Sequence, residues 1–355
     1  MNDRVRIDLA AAPVLGEAAH FRITLLIEGA LSFAANLLFI GIFFYTKEVF
    51  GWGLMRNFML ASAQGAVYVL ASLASQGLAK RVGDRRLLIG SNLALAGVSL
   101  VGVLVSSPVI LVGVIIVYVP LMALNWPVLE AAAAAGADPH TLSRRIGVYN
   151  LVWAGTGALA VAVQGTLLKI DARMVFLVPL VVHVAMVGII VVVRGYGVGW
   201  SGSSEEDRVT TRLSSSKSEV TQPTNAQVHV DAEPELLAQR TLALWLSRIA
   251  LPSTYVVIYS LSALMPLLPV MRGLDTTAQT AVGSVWMVSR WLTFLVLGAS
   301  VFWHTRPMML LAAAALMGAA FIGVTAPVGL GGMMAAQVVL GAALGLIYTA
   351  SLYFG

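Results

Sequence analysis

The sequence predicts an all-α polytopic membrane protein, and three observations carry that expectation. Of its 355 residues 59% are hydrophobic and only 11% are charged, against roughly 25% charged in a soluble domain. Mean hydropathy is +0.87. The apolar residues gather into blocks of about 20, the length a helix needs to cross a bilayer. So few charges cannot cover the polar faces of a water-soluble enzyme, and most of the surface is expected to meet lipid.

Ten blocks can be placed: Ile23–Tyr45, Met55–Gln76, Leu87–Ser106, Val109–Leu129, Ile146–Leu168, Met174–Val193, Ile249–Leu268, Ala281–Trp303, Met308–Thr325 and Val328–Leu352. Residues 1–20 are mixed and charged, lack an apolar run of signal-peptide length, and read as a cytoplasmic N-terminal tail. Ser107 and Pro108 form a tight turn between the third and fourth blocks. The polar stretch 194–240, rich in Ser, Thr, Glu and Asp, cannot bury a core and reads as a flexible cytoplasmic linker. Toward its end, Glu235 to Arg248 suggests a short interfacial helix with Trp245 at headgroup level. The expected organisation is therefore a six-helix lobe over 21–193, the linker, and an incomplete four-helix lobe over 241–355.

Lys and Arg set the orientation. With the N-terminus inside, fourteen of them fall in cytoplasmic segments and five in outer loops, the asymmetry of a multi-pass protein of the cell membrane. The net charge of +5 is thus assigned to membrane loops, and no nucleic-acid partner is expected. The chain has no cysteine, which removes disulfides, thiolate nucleophiles and most zinc sites. His20, His140, His229 and His304 show no metal spacing, and His183, alone on an apolar block, reads as a structural imidazole. There is no H-E-x-x-H, no phosphate loop, no dinucleotide fingerprint and no Ser-His-Asp set. No metal, cofactor or enzymatic activity is expected.

An internal repeat is visible. Gly77 to Arg86 reads G-L-A-K-R-V-G-D-R-R after the second block, and Gly298 to Arg306 follows the eighth. Gly77 aligns with Gly298 and Arg85 with Arg306, both 221 residues apart, which suggests parallel six-helix units. Here the chain resembles the major facilitator superfamily, whose members carry G-x-L-A-D-R-x-G-R-R between helices two and three. Gly77, Arg81, Gly83, Arg85 and Arg86 match; Lys80 replaces the usual Asp, and Asp84 is displaced. The resemblance implies a two-lobe bundle of twelve helices, of which six plus four are visible, so a truncation after the tenth is expected. It also implies that the basic loop helps latch one conformation. Gly77 is expected to let two helices approach closely. The fourth block lacks the Arg of many proton-linked members and the fifth lacks the Pro of drug antiporters, so proton antiport of drugs is not implied.

Ionisable groups inside a membrane are costly and point to function. Thr24, Glu28, Ser32 and Asn36 recur every four residues and form one polar stripe. Glu28 is read as a proton or substrate group, or as a structural partner of Arg22 or Arg290. Arg290, flanked by Trp286 and Trp291, needs a carboxylate, a carbonyl or an anionic solute; a Glu28–Arg290 pair across the lobes is one solution and a structural strut another. Asn125, Asn150 and Trp153 suit polar organic solutes by hydrogen bonding and stacking, or an aromatic belt at the membrane interface. Tyr255 and Tyr259 are candidate cavity residues ahead of Pro266 and Pro269, which are expected to break the helix. Gln337 shares a stripe with Gly341, Gly345 and Tyr348, and helix packing explains the glycines equally well.

The leading expectation is a monomeric secondary transporter that moves a small solute by alternating access, with H+ as a candidate coupling ion. The alternatives are a ten-helix carrier of the drug/metabolite type, built from inverted five-helix repeats, and a membrane sensor or scaffold that keeps a carrier fold.

Overall fold

A computed structural model describes residues 16–193, 233–300, 306, 308–326 and 329–354. Residues 1–15 of the expected N-terminal tail and most of the expected linker lie outside the described residues, as do positions 301–305 of the second loop repeat; residues 17–20, placed in the tail, instead open the first helix. Among the described residues the secondary structure is helical, with no strand.

The helices are α1 (Glu17–Phe39), α2 (Ile42–Phe50), α3 (Leu54–Val82), α4 (Asp84–Leu104), α5 (Pro108–Ala123), α6 (Asn125–Ala134), α7 (Pro139–Ile170), α8 (Met174–Val192), α9 (Glu233–Leu264), α10 (Thr276–Gly283), α11 (Val285–Gly298), α12 (Met308–Thr325) and α13 (Gly329–Phe354). Three pairs run end to end, and among the described residues ten spans are long and apolar enough to cross a bilayer. These correspond to the ten apolar blocks.

The breaks between and within spans have local causes. At the α1/α2 junction the Asn36 carbonyl accepts from both Ile40 N–H, at 3.2 Å, and Gly41 N–H, at 2.9 Å. Gly41 there lies against the Gln164 side chain and the Leu37 carbonyl, so a larger residue would have to displace them. Pro127 cannot donate to the carbonyl of Ala123, and the α5/α6 break falls at Leu124 between them. Gly83, at φ 88°, turns the corner from α3 to α4 in one residue. Pro108 opens α5 at its first turn, where its missing N–H has no helical partner to lose.

Two expectations at the seventh span are corrected. Residues 233–240, placed in the linker, are already helical. The interfacial helix is not separate, since Glu233–Leu264 is one continuous helix of 32 residues. The composition of its polar first turns hid that continuity. Pro266 and Pro269 do break the helix, but at its far end, where two short 3₁₀ turns, Met265–Leu267 and Pro269–Met271, replace it.

Side chains divide by environment as a membrane bundle requires. Leu73, Val109 and Val192 are among many large apolar residues left exposed, on a surface suited to acyl chains. Inside, Tyr118, Phe43 and Phe176 anchor one apolar cluster, mostly from the first eight helices, and Ile27, Leu88 and Leu129 another. Met265, Trp286, Met317 and Leu340 anchor a third, mostly from α9–α13. A buried polar strut ties α4, α5, α6 and α8. Tyr118 meets His183 Nε2 at 2.9 Å, and His183 Nδ1 meets Asn92 Oδ1 at 2.9 Å. Both imidazole nitrogens are engaged, which suits the structural reading of His183.

At one face the two halves of the chain are stitched together. Lys47 Nζ donates to Gln279 at 2.7 Å, and Lys169 Nζ pairs with Asp275 at 2.7 Å. Thr276 donates to Glu48 at 3.1 Å, and the Gly165 amide to Thr280 Oγ1 at 3.0 Å. The α7 backbone passes so close to α10 that a Cβ at Gly165 would overlap the Thr276 carbonyl.

Candidate functional site

Below that sealed face lies a cavity of about 300 Å³ between the halves. From the first half come Asn36, Phe39, Tyr68, Ser72, Trp126, Glu130, Tyr149 and Trp153; from the second come Thr254, Tyr255, Arg290 and Tyr348. Glu130 sits one turn from the end of α6, so the cavity reaches toward the face opposite the stitched one. Its walls are rich in aromatic rings, with one guanidinium and one carboxylate.

Arg290 is 7% exposed. Its guanidinium carbon lies over the Trp153 ring at 4.7 Å and over the Trp286 ring at 5.1 Å. Trp286 comes from one turn earlier in α11, Trp153 from α7 in the other half. The Trp153 indole is fixed by a hydrogen bond from its N–H to Asn150 Oδ1, at 2.9 Å. Trp291, the other expected flank, instead packs its indole N–H edge on Gly155. Among the described residues Arg290 has no carboxylate within ion-pair range, and its Nε is buried without a partner.

The expected pairing of Glu28 with Arg290 does not form. Glu28 is fully buried and is held within the first half. Ser32 Oγ donates to Oε1 at 2.6 Å, Trp126 Nε1 to the same oxygen at 3.2 Å, and Tyr149 OH to Oε2 at 2.8 Å. Arg22, the other partner considered, is exposed. The carboxylate therefore stands one layer behind the cavity, and two of its three donors, Trp126 and Tyr149, form the cavity wall. The stripe on α1 is real: Asn36 Nδ2 donates to the Ser32 carbonyl at 2.8 Å, and Gly157 leaves the space that its amide occupies.

Of the other expected residues, Trp153 and Tyr255 line the cavity and several do not. Asn125 belongs to the buried strut, where its Oδ1 accepts from Ser91 at 2.6 Å and Asn92 at 3.3 Å. Asn150 acts only through Trp153. Tyr259 packs behind Phe39, ring centroids 5.1 Å apart. Trp286 is buried beneath Arg290. Gln337 is fully buried on α13, away from the cavity lining.

Residues that sequence reasoning did not select include Tyr68, Ser72, Glu130, Thr254 and Tyr348. Glu130 was missed because the fourth block was ended at Leu129, whereas α6 runs on to Ala134. Tyr68 had a usable signal, since it lies mid-way along a span; its ring meets that of Tyr255 across the halves at a tilt, centroids 5.8 Å apart.

The basic loop does something more local than expected. Arg85 donates to the carbonyls of Ile190 at 3.2 Å and Val191 at 3.1 Å, capping the end of α8. Asp84 opens α4, and Arg81 and Arg86 are exposed. Gly77 does not mediate close packing: it lies inside α3 with nothing near where a Cβ would stand, and the same holds for Gly298. Arg306 is exposed.

Ten apolar spans around a solute-sized cavity between two halves define a multi-pass membrane carrier. The family model described as Major Facilitator Superfamily matches residues 23–355, and the chain belongs to that family. It is a transporter by family, which replaces the drug/metabolite-type alternative. Among solved structures it is similar to the nucleoside transporter NupG in an aspartate-to-alanine mutant, with TM-score 0.62 and 11% identity over 94% of this chain and 81% of that one. NupG itself gives TM-score 0.61 and 12% identity over 93% and 80%. The peptide transporter POT, a glutamate-to-glutamine mutant in complex with sulfate, gives TM-score 0.59 and 14% identity over 96% and 83%. These likenesses speak for the fold. No curated protein matches the sequence.

Proposed function

We propose that the chain is a secondary active transporter that carries a small solute through the cavity by alternating access, as a monomer in the plasma membrane with its N-terminus cytoplasmic. The observation that carries this reading is the asymmetry between the two faces. Hydrogen bonds and an ion pair close one face, and the cavity lies beneath them. With the positive-inside orientation the closed face is the outer one, so the conformation faces the cytoplasm. A division into two lobes on either side of residues 194–232, with Arg85 of the basic loop capping α8 within the first, fits rigid-body rocking about this site.

Glu28 is the candidate for proton exchange. Its carboxylate touches the cavity through Trp126 and Tyr149, so solute occupancy and protonation can bias one another. The test is uptake by proteoliposomes of the full-length protein, with and without an imposed pH gradient. Nucleosides, short peptides and small organic acids form the first panel, since the similar structures are named as nucleoside and peptide transporters. Saturable uptake of any member supports the reading. Protein-dependent uptake of none, by correctly inserted protein, overturns it.

A further inference from the structure

We propose that the cavity selects a small organic anion with one carboxylate and a flat, largely apolar body; this rests on the cavity being the solute site. The first observation is the state of Arg290. It is nine-tenths buried, lines the cavity, and has no carboxylate partner among the described residues. Its guanidinium carbon lies over two indole rings, and cation–π contact is weaker than a full counter-charge. A guanidinium is planar and carries its N–H groups in that plane. Those donors remain for a ligand, and their fork matches a carboxylate with two parallel hydrogen bonds. Nε, buried and unpartnered, is one tine of that fork.

The second observation is the wall. Phe39, Tyr68, Trp126, Trp153, Tyr255 and Tyr348 surround about 300 Å³, the lower end of the range for ligand sites. Aromatic walls favour a flat body by stacked and edge-on contact. They offer an inorganic phosphate less, because it has no flat apolar body to lie against the rings. The third observation is charge. Glu130 shares the lining with Arg290, and among the lining residues there is no second Lys or Arg. A second negative charge on the solute would face a carboxylate with no cation to offset it, so monoanions are favoured over dianions.

The experiment is calorimetric binding to the purified full-length protein, with benzoate, 4-hydroxybenzoate and phenylacetate as probes. Benzamide, acetate and inorganic phosphate are the controls. At least one aromatic carboxylate should bind saturably, with benzamide and phosphate at least ~10-fold weaker. Arg290→Lys should weaken that binding about 10-fold, and Arg290→Gln should abolish it. The proposal is overturned if no aromatic carboxylate binds, if benzamide binds as well as benzoate, or if Arg290→Gln with an unchanged melting profile binds like wild type. Should Arg290→Gln fail to fold, the wild-type contrast between benzoate and benzamide decides alone. Transport of an uncharged nucleoside without carboxylate binding would sink this proposal and leave the transporter reading standing.

Discussion

The Arg290 guanidinium lies over the indole of Trp153 at 4.7 Å, and the two residues come from opposite halves of the chain. The cation of the second half is thus positioned by an aromatic ring of the first, and that ring is itself held by Asn150. Trp153 also meets Phe294 and Tyr348 edge-on, with centroids 5.8 and 5.4 Å apart. A rocking motion of the halves must shear this cluster, so the stack belongs to one conformation more than to the other.

Removing the ring should weaken solute binding without destroying the fold. A cation–π contact contributes roughly 0.5–2 kcal/mol, so Trp153→Ala is expected to raise the apparent KM for transport roughly 2- to 30-fold. Asn150→Ala should produce a smaller change in the same direction, because it frees the indole and leaves it present. Initial uptake rates over a concentration series give both values. Equal KM for wild type and Trp153→Ala would show that the stack has no part in binding.

Glu28 separates coupling from architecture. Glu28→Gln keeps an oxygen that can accept from Trp126 or Tyr149 but removes the titrating group. Solute exchange across equilibrated vesicles should persist, while accumulation driven by a pH gradient is lost. Glu28→Ala strands the donors of Ser32, Trp126 and Tyr149, and each buried donor left unpaired costs about 1–3 kcal/mol. Its melting temperature should fall well below that of Glu28→Gln. Accumulation driven as strongly in Glu28→Gln as in wild type would remove Glu28 from coupling.

Much of the fold was legible because bilayer thickness sets the length of an apolar block. The site was legible only where a costly residue stood in an apolar run. Arg290 and Glu28 are conspicuous for that reason, and of the arrangements the sequence left open, a pair between them does not form among the described residues. Counter-charge arithmetic treats acids and bases as seeking one another; it cannot see that Ser32, Trp126 and Tyr149 already satisfy Glu28. Glu130 escaped because the apolar run ends before the helix does. Tyr68 and Tyr348 escaped because a tyrosine in a membrane span is compatible with packing, cavity or interface until its neighbours are known.

Close helix approach in the second half is carried by Gly341. A Cβ there would overlap the Trp286 carbonyl and crowd the Arg290 amide at 2.9 Å. Gly341→Ala must push α13 away from the segment of α11 that holds both residues. Overpacking of this kind costs about 1–3 kcal/mol. The variant should melt at lower temperature and bind solute more weakly, since the backbone under Arg290 shifts. Gly77→Ala is the matched control: it has open space around it, and its added methyl on a helix should leave melting unchanged or slightly raised.

The ion pair at the closed face gives a prediction about pH. Lys169 donates to Asp275, and the Ala278 amide adds a second hydrogen bond; together they hold the Asp275 carboxyl below its ordinary value. A group depressed in the closed form stabilises that form at pH above its ordinary value, and the contribution fades only as pH falls through the depressed one. Both lie at or below the ordinary carboxylate range, so the latch stays intact from neutrality down to about pH 5. Asp275→Asn keeps the helix cap and loses the charge. It should favour opening of the sealed face to the same small extent at pH 5.5 and pH 7.5, because an exposed pair contributes little. Accessibility of a cysteine introduced at Thr277, measured with an impermeant thiol reagent, reports that opening. A pH dependence of transport between those values that survives in Asp275→Asn then originates elsewhere, and Glu28→Gln is expected to abolish it. Accessibility that rises at pH 5.5 in wild type but not in Asp275→Asn would instead place the titrating group in the latch.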